Sequence, residues 1–224
     1  MDSSSKKIVW HHNALPQKTA IALEYLAKKD WLNNSGWYLA GGTALALQVG
    51  YRRSVDLDFF TGASEIDNVE LLKNLKTNGN WLTDVDKEGT IYGELLNAKV
   101  SFISYPFFKP ALPFLRYGTV SVLYKGDIAV MKAAAISQRG SKRDFFDLYY
   151  CAHNIISLEK IVIRLKKQYP DVAHNYYHIL KSLVYFVDAE DDPEPDLLIN
   201  LDWSTIKKYF EKEIPALTKK LLKI

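Results

Sequence analysis

Cysteine is almost absent from this chain of 224 residues, which contains Cys151 alone. A single cysteine excludes a disulfide within the chain and a zinc site built from cysteine ligands. Long apolar runs are also missing, so no segment predicts a helix that crosses a membrane. The first ten residues, MDSSSKKIVW, lack the apolar core of a secretory signal. These absences predict a cytoplasmic protein without a membrane partner.

An excess of charge of one sign is missing as well, because 29 Lys and Arg residues stand against 26 Asp and Glu. The formal net charge of +3 permits a nucleotide or nucleic-acid partner but does not require one. Hydrophobic residues make up 48% of the chain and charged residues 25%, which is typical of a folded protein with a packed core. The partner therefore has to be identified from motifs rather than from composition.

The order of the predicted elements is that of a mixed α/β protein. The first part of the chain alternates helices with strands, whose predicted bounds are 55–61, 81–87, 90–96, 99–105 and 120–123. From residue 127 onward the pattern is helical. We predict an α+β fold, in which a small mixed sheet is flanked by helices and followed by a helical C-terminal region that completes the cleft. The predicted boundary divides the chain into residues 1–125 and 126–224.

The segment 39–60, LAGGTALALQVGYRRSVDLDFF, places a glycine turn before a helix and two carboxylates in the strand that follows. Asp56 and Asp58 are two residues apart, so in a strand they project from the same face. Two such carboxylates repel each other unless a cation lies between them, and Mg²⁺ prefers oxygen ligands of this kind. The backbone N–H groups of the turn at 41–43 suit phosphate binding at the start of a helix. Together they indicate phosphoryl or nucleotidyl transfer.

A second group of charged residues lies among apolar ones further along the chain. Lys132 and Arg139 are seven residues apart, so they share one face of a helix. Asp144 and Asp147 are three residues apart near the start of the next predicted helix. Lys132 is a candidate to hold a nucleotide phosphate. The two aspartates are candidates to orient Lys132 or Arg139, or to help place the attacking group.

Two polar residues immediately before the aspartate pair are further candidates. Arg53 either neutralises the carboxylates or contacts a phosphate. Ser54 either takes part in nucleotide binding or bonds to its local backbone.

Taken together, these segments resemble the AbiEii/AbiGii toxin family, whose members have a minimal nucleotidyltransferase fold. The matching pieces are GGT at 41–43, RRSVDLDFF at 52–60, the helix with Lys132 and Arg139, and KRDFFDLYY at 142–150. The resemblance covers roughly residues 37–150, about half of the chain. It implies a nucleotidyltransferase that uses Mg²⁺ and an NTP, with tRNA as the acceptor in some relatives. It also implies a separately encoded antitoxin as a partner.

The motifs and the resemblance together assign the site residues to three sets. The catalytic set is Asp56, Asp58, Lys132 and Asp144, where Asp144 is either a base or a residue that orients the lysine. The metal ligands are Asp56 and Asp58. The nucleotide-binding set is Gly41, Gly42, Thr43, Arg53, Ser54, Lys132, Arg139 and Asp147.

One feature departs from the wider superfamily that the resemblance invokes. Many nucleotidyltransferases add a third carboxylate from a later strand, but the predicted strand 99–105, KVSFISY, carries no acid. Either Asp144 or Asp147 replaces it, or the enzyme works with one tightly held metal, or the domain is inactive. Two alternatives to the main interpretation therefore stay open. They are a catalytically idle nucleotidyltransferase-like binding module and a nucleotidyltransferase that modifies a small molecule such as an antibiotic.

Overall fold

The computed structural model describes residues 8–77, 80–172 and 175–222. The strands in these ranges are β1 (Tyr38–Ala40), β2 (Leu57–Thr61), β3 (Trp81–Lys87), β4 (Thr90–Leu95), β5 (Ala98–Ser104), β6 (Leu115–Tyr117) and β7 (Val120–Val122). They form one mixed sheet in the order β3-β4-β5-β2-β1-β7-β6.

Helices flank this sheet and make up the C-terminal region. They are α1 (Gln17–Leu26), α2 (Gly41–Val49), α3 (Asn68–Lys76), α4 (Lys125–Arg139), α5 (Lys142–Asn154), α6 (Leu158–Gln168), α7 (Tyr176–Ser182), α8 (Val187–Glu190) and α9 (Trp203–Leu222). Two short 3₁₀ helices lie at His12–Ala14 and Asp30–Leu32. This arrangement confirms the predicted α+β fold. Among the helices described, none has the length and apolar character needed to span a membrane.

The centre of the sheet positions the site. Strand β2 is antiparallel to β1 on one side and parallel to β5 on the other. Asp58 of β2 pairs with Ala40 of β1 and with Ser101 of β5. Because Ala40 is the residue before α2, this register places the N-terminus of α2 on one side of Asp58 and Ser101 on the other.

Strand β2 is shorter than the sequence predicts, since it begins at Leu57 rather than at Val55. Asp56 therefore lies in the loop that enters the strand. The alternating pattern predicts Val55 in the core together with Leu57 and Phe59, but in the structure Val55 is exposed. Within the strand itself the alternation holds, because Leu57 and Phe59 are buried and Asp58 is on the opposite, half-buried face.

An aromatic cluster beneath β2 and β5 fixes the two strands against each other. The rings of Phe59 and Phe102 stack with their centroids 4.8 Å apart, and Trp37 meets Phe102 edge-on at 5.0 Å. Such pairs add about 0.5–1.5 kcal/mol each to the free energy gained from burial of apolar area. Since Phe59 and Phe102 are neighbours in sequence of Asp58 and Ser101, this packing also sets the spacing of the polar pair on the other face.

Candidate active site

Asp58 is at the centre of the candidate site, and its charge is only partly compensated by the residues around it. The Ser101 hydroxyl donates to Asp58 Oδ1 at 2.7 Å. Burial raises the pKa of Asp58, the Ser101 hydrogen bond lowers it, and the charge of Asp56 raises it again, so the pKa lies above its ordinary value. No ion pair in the described part of the chain includes either aspartate. A cation bound between the two carboxylates would relieve this repulsion.

The glycine turn brings the backbone of α2 against these carboxylates. Gly41 has φ +69°, a left-handed conformation that favours glycine, and a Cβ at this residue would lie 3.2 Å from Asp58 Oδ2. A Cβ at Gly42 would lie 2.4 Å from Nη2 of Arg52. Both positions therefore require glycine for close approach. The N–H groups of the first turn of α2 have no helical acceptor, so they are available to an anion beside Asp58.

Thr43 braces the loop that carries Asp56 instead of opening its hydroxyl to a phosphate. Its side chain is buried, and Oγ1 donates to the backbone carbonyl of Asp56. The Ser54 hydroxyl lies 2.9 Å from Thr43 Oγ1. These bonds hold the hydroxyl groups of Thr43 and Ser54 to each other and to the Asp56 loop, while the backbone N–H groups of the turn remain available to a phosphate.

Five charged side chains beside the aspartate pair form what we term the charge network, which consists of Arg52, Lys132, Arg139, Asp144 and Asp147. Arg52 Nε and Nη2 donate to Asp147 Oδ1 and Oδ2 at 2.7 and 2.9 Å. Lys132 Nζ lies 2.7 Å from Asp144 Oδ1 and 2.6 Å from Asp147 Oδ2. Arg139 Nε donates to Asp144 Oδ2 at 2.7 Å. Three cations and two carboxylates leave one net positive charge, which favours an anion nearby.

The charge network keeps its members ionised. Burial would raise the pKa of Asp147, but Arg52 and Lys132 hold it well below its ordinary range. The pKa of Asp144 is lowered in the same way, since Lys132 and Arg139 outweigh the effect of burial. Burial would lower the pKa of Lys132, but the two carboxylates raise it. The lowered pKa of Asp144 makes it a weak base, and its two oxygens accept from Lys132 and Arg139, so these contacts favour its predicted role in orienting Lys132.

The structure brings the predicted residues into two adjoining groups and leaves one residue outside them. The first group, around the start of α2, contains Gly41, Gly42, Thr43, Ser54, Asp56 and Asp58, and the second contains Lys132, Arg139, Asp144 and Asp147. The groups adjoin at Arg52, because its Nη2 lies 2.4 Å from the Cβ position of Gly42 and its guanidinium pairs with Asp147. Arg53 is apart from both, since its half-exposed side chain pairs with Asp196 at 3.1 Å.

Three residues of the site are missing from the sequence prediction: Tyr51, Arg52 and Ser101. The Tyr51 hydroxyl donates to Asp147 Oδ1, beside Arg52. No pattern in one sequence separates Arg52 from Arg53, and in the structure Arg52 belongs to the charge network while Arg53 pairs with Asp196. Ser101 lies opposite Asp58 through the pairing of β2 with β5, which the sequence alone does not specify.

Asp56 and Asp58 line a pocket of 310 Å³, whose other walls include Ser101, Lys99 and a third carboxylate, that of Asp84. The donor set fits Mg²⁺, since both ligands are oxygen atoms and their repulsion is unrelieved. Among the described residues, no group of three or more His, Cys, Asp or Glu side chains is arranged to hold a metal. Two protein carboxylates leave coordination positions for phosphate and water oxygens, as Mg²⁺ sites that act on nucleotides commonly do.

Two solved structures share this fold. MenT4, a nucleotidyltransferase toxin from Mycobacterium tuberculosis H37Rv, is 17% identical, with a TM-score of 0.55 over 93% of this chain and 87% of that one. An H. pylori protein described as a candidate nucleotidyltransferase is 20% identical, with a TM-score of 0.53 over 93% of this chain and 98% of that one. At these identities the likeness concerns the fold alone.

Sequence comparison extends the likeness to family membership. A protein of Aquifex aeolicus (strain VF5), described as uncharacterized protein aq_aa25, is 35% identical over 191 residues, which cover 80% of this chain and 86% of that protein. The family model described as nucleotidyl transferase AbiEii toxin, type IV TA system, matches residues 32–91. This range contains the glycine turn and both aspartates. The chain belongs to the AbiEii family of nucleotidyltransferase toxins.

Proposed function

We propose that this protein uses Mg²⁺ to transfer a nucleotide from an NTP to an RNA acceptor of the tRNA class, and that a separately encoded antitoxin restrains it. One observation carries the proposal. The carboxylate of Asp58, whose charge is only partly compensated, lies against the glycine that opens α2. The proposed metal site and the proposed anion site are therefore next to each other. An NTP bound to Mg²⁺ has the charges to satisfy both.

The phosphate tail of the NTP is assigned to the start of α2. The helix has nine residues, and its first N–H groups supply donors together with the positive end of the helix dipole. Gly41 and Gly42 allow a phosphate to approach the backbone without obstruction by a side chain. The Thr43 hydroxyl keeps the loop with Asp56 in position for the metal.

Asp56 and Asp58 would hold the metal, which when bound polarises the phosphoryl oxygens and neutralises charge that develops during transfer. The Ser101 hydroxyl fixes Asp58 through Oδ1. Asp58 Oδ2 is the oxygen nearest Gly41, so it faces the phosphate side of the site.

The charge network contributes positive charge in a fixed arrangement. Lys132 is held between two carboxylates and therefore acts as a buried charge rather than as a mobile arm. Arg139 uses Nε for Asp144, and 55% of its side chain is exposed, so its Nη groups are placed to contact a phosphate. Asp144 and Asp147 position these cations.

The transfer itself is a displacement at the α-phosphorus. The acceptor hydroxyl oxygen forms the new P–O bond as the bond to the bridging oxygen of pyrophosphate breaks, and pyrophosphate leaves with the electron pair. The start of α2 retains the leaving group through its N–H donors. The hydroxyl proton passes to solvent, because Ser101 donates its own proton to Asp58, and the lowered pKa values of Asp144 and Asp147 make these buried, ion-paired carboxylates weak bases.

The proposal is tested by transfer of label from each α-³²P NTP, with Mg²⁺, to total RNA, to protein and to small hydroxyl-bearing compounds. The variant Asp58→Asn removes the charge of the proposed ligand. The control Asp171→Asn neutralises an exposed carboxylate that pairs with Lys109 at 3.3 Å, far from the site in sequence. Label on RNA that is lost in Asp58→Asn and kept in Asp171→Asn supports the proposal.

Other outcomes of the same experiment contradict it. Label that appears on protein or on a small molecule, and not on RNA, assigns a different acceptor. A folded wild-type protein that transfers no label from any NTP favours the catalytically idle binding module. The serine at position 101 agrees with that alternative, because it supplies no third carboxylate for catalysis.

A further inference from the structure

A second pocket, of 480 Å³, lies beyond α4 and differs in character from the metal site. Its walls include the rings of Tyr105, Phe107 and Tyr169 and the amide groups of Gln138 and Asn175. None of the described residues that line it is Lys, Arg, Asp or Glu. A pocket with aromatic walls, amide groups and no formal charge suits a flat, neutral ring with polar edges.

The pocket adjoins the active site through the sheet. Asp58 and Phe60 lie on one face of β2, about 6.6 Å apart along the strand. The ring of Phe60 meets that of Tyr105 at 5.8 Å, and Tyr105 lines the pocket. Phe60 therefore connects the face of β2 that carries Asp58 to the wall of this pocket through its contact with Tyr105.

Helix α4 connects the same two places on its own side. Arg139 belongs to the charge network, and its neighbour Gln138 lines the pocket. Consecutive residues of a helix point about 100° apart, so one helix end can serve a phosphate with Arg139 and a different group with Gln138. The contacts of α4 therefore change from neutral at Gln138, which lines the pocket, to charged at Arg139, the next residue.

We infer that this pocket binds the base of the NTP, a conclusion that rests on the proposed function. The phosphates occupy the charged site at α2, and the base occupies the neutral pocket, where the rings supply stacking surfaces and Gln138 and Asn175 supply hydrogen-bonding amides. The volume of 480 Å³ lies within the range of pockets that enclose small organic ligands.

One hydrogen bond joins α4 to α7 at the pocket, and a second fixes the start of α7. His178 Nε2 donates to the backbone carbonyl of Ser137 at 3.1 Å. The Asn175 side chain accepts from the backbone N–H of His178 at 3.1 Å, as the N-cap of α7. Because these bonds join pocket residues to each other, the walls are formed before a ligand arrives, which lowers the entropy cost of binding.

The inference is tested by calorimetry with five probes, each with Mg²⁺: inorganic tripolyphosphate, ATP, GTP, CTP and UTP. Phe107→Ala removes a ring that is 52% exposed, and Gln138→Ala removes an exposed amide, so neither substitution empties the core. Tyr177→Ala is the control, since it removes an exposed ring from α7 that does not line the pocket.

The substitutions are expected to change the binding of the base and to leave the binding of the phosphates unchanged. Tripolyphosphate binds the wild type and all three variants with the same Kd. The preferred NTP binds Phe107→Ala at least about fivefold more weakly, which is the low end for loss of one base-stacking ring. Gln138→Ala narrows the difference in Kd among the four NTPs, and Tyr177→Ala matches the wild type throughout.

Two results overturn the inference, and they can be told apart. If tripolyphosphate and NTPs bind the wild type, but Phe107→Ala and Gln138→Ala bind NTPs as the wild type does, the base lies elsewhere and the proposed function stands. If neither tripolyphosphate nor any NTP binds the folded wild type, the proposed function fails and the base pocket fails with it.

Discussion

Arg52 and Asp147 are 95 residues apart in the chain and form a two-pronged, buried ion pair. The guanidinium of Arg52 also donates to the backbone carbonyl of Arg53, and Tyr51 adds its hydroxyl to Asp147. The pair therefore fixes the loop after α2 to helix α5. The loop carries on to Asp56, so the position of the metal ligands depends on this contact.

Replacement of Arg52 by lysine should destabilise the protein although the charge is kept. A lysine cannot reproduce the fork, so at least one buried acceptor loses its donor, at a cost of about 1–3 kcal/mol in the free energy of unfolding. The neighbouring Arg53→Lys is a matched control, because Arg53 is half-exposed and should change stability by no more than about 0.5 kcal/mol. Urea unfolding of both variants is the measurement, and equal losses would contradict the assignment of the network to Arg52.

Loss of the Asp147 charge should cost more than loss of the arginine fork, and the cost should depend on pH. Asp147→Asn leaves Arg52 and Lys132 buried without a shared carboxylate, which typically costs about 3–5 kcal/mol. The folded-state pKa of Asp147 is depressed, so its contribution is present above the unfolded value of 3.8 and is lost as the pH falls through the lower folded value. The difference in unfolding free energy between wild type and variant should therefore shrink as the pH falls below 3.8, and it should vanish only below the folded-state pKa. A difference that does not vary with pH would refute this account.

The features that sequence alone identifies are those in which local pattern and chemistry coincide. The glycine turn before α2 and the neighbouring pair of aspartates could be identified without a structure, although Asp56 lies in the loop that enters β2 and not in the strand itself. The charge network was predicted in part, because Lys132, Arg139, Asp144 and Asp147 lie on two consecutive helices. Their mutual contacts follow from the short turn between these helices.

The features that sequence alone does not identify depend on contacts between distant segments. Arg52 and Arg53 are chemically alike, and only the position of α5 decides which of them is buried. Ser101 becomes part of the site through the parallel register of β2 with β5, which no local pattern specifies. Thr43 has its hydroxyl turned to the Asp56 loop because that loop packs on α2, a tertiary constraint.

Asp58→Asn should show separately how the carboxylate lowers the stability of the metal-free protein and how it contributes to metal binding and activity. In the metal-free protein the ionised side chain is disfavoured by burial and by Asp56, so the neutral amide should raise the Tm at neutral pH. The variant should lose the rise in Tm that Mg²⁺ with an NTP gives to the wild type, and transfer activity should fall by about 100-fold or more. Differential scanning fluorimetry with and without Mg²⁺ and NTP tests the first two points. A lower Tm in the metal-free variant would contradict the interpretation of Asp58 as an uncompensated charge.

Addition of a single methyl group at either glycine of the turn should reduce activity. Gly41→Ala forces a left-handed backbone on alanine and places Cβ 3.2 Å from Asp58 Oδ2. Gly42→Ala places Cβ 2.4 Å from Arg52 Nη2, so the guanidinium must move from Asp147. The Gly41 change should cost about 1–2 kcal/mol in stability. Gly62→Ala is the control, because no atom lies within 4 Å of its Cβ position. Kd values for Mg²⁺-tripolyphosphate should rise in the first two variants and not in the third.

Ser101→Asp introduces a carboxylate into β5, the strand in which the sequence comparison with other nucleotidyltransferases predicts a third one. Ser101 is directly opposite Asp58, and the new side chain replaces a donor to Asp58 Oδ1 by a like charge. The metal-free variant should therefore be less stable than the wild type by about 1–3 kcal/mol, the usual cost of an unsatisfied buried group.

The same substitution should strengthen metal binding, because it adds a third oxygen ligand. The repulsion among the three carboxylates is relieved only when the cation is bound. The rise in Tm caused by Mg²⁺ should be larger for Ser101→Asp than for the wild type. Ser101→Ala is the matched control, since it removes the hydrogen bond without adding charge. A rise in Tm for Ser101→Ala equal to that for Ser101→Asp would show that loss of the serine, and not the new carboxylate, is responsible. A smaller rise for Ser101→Asp than for the wild type would place the metal away from β5.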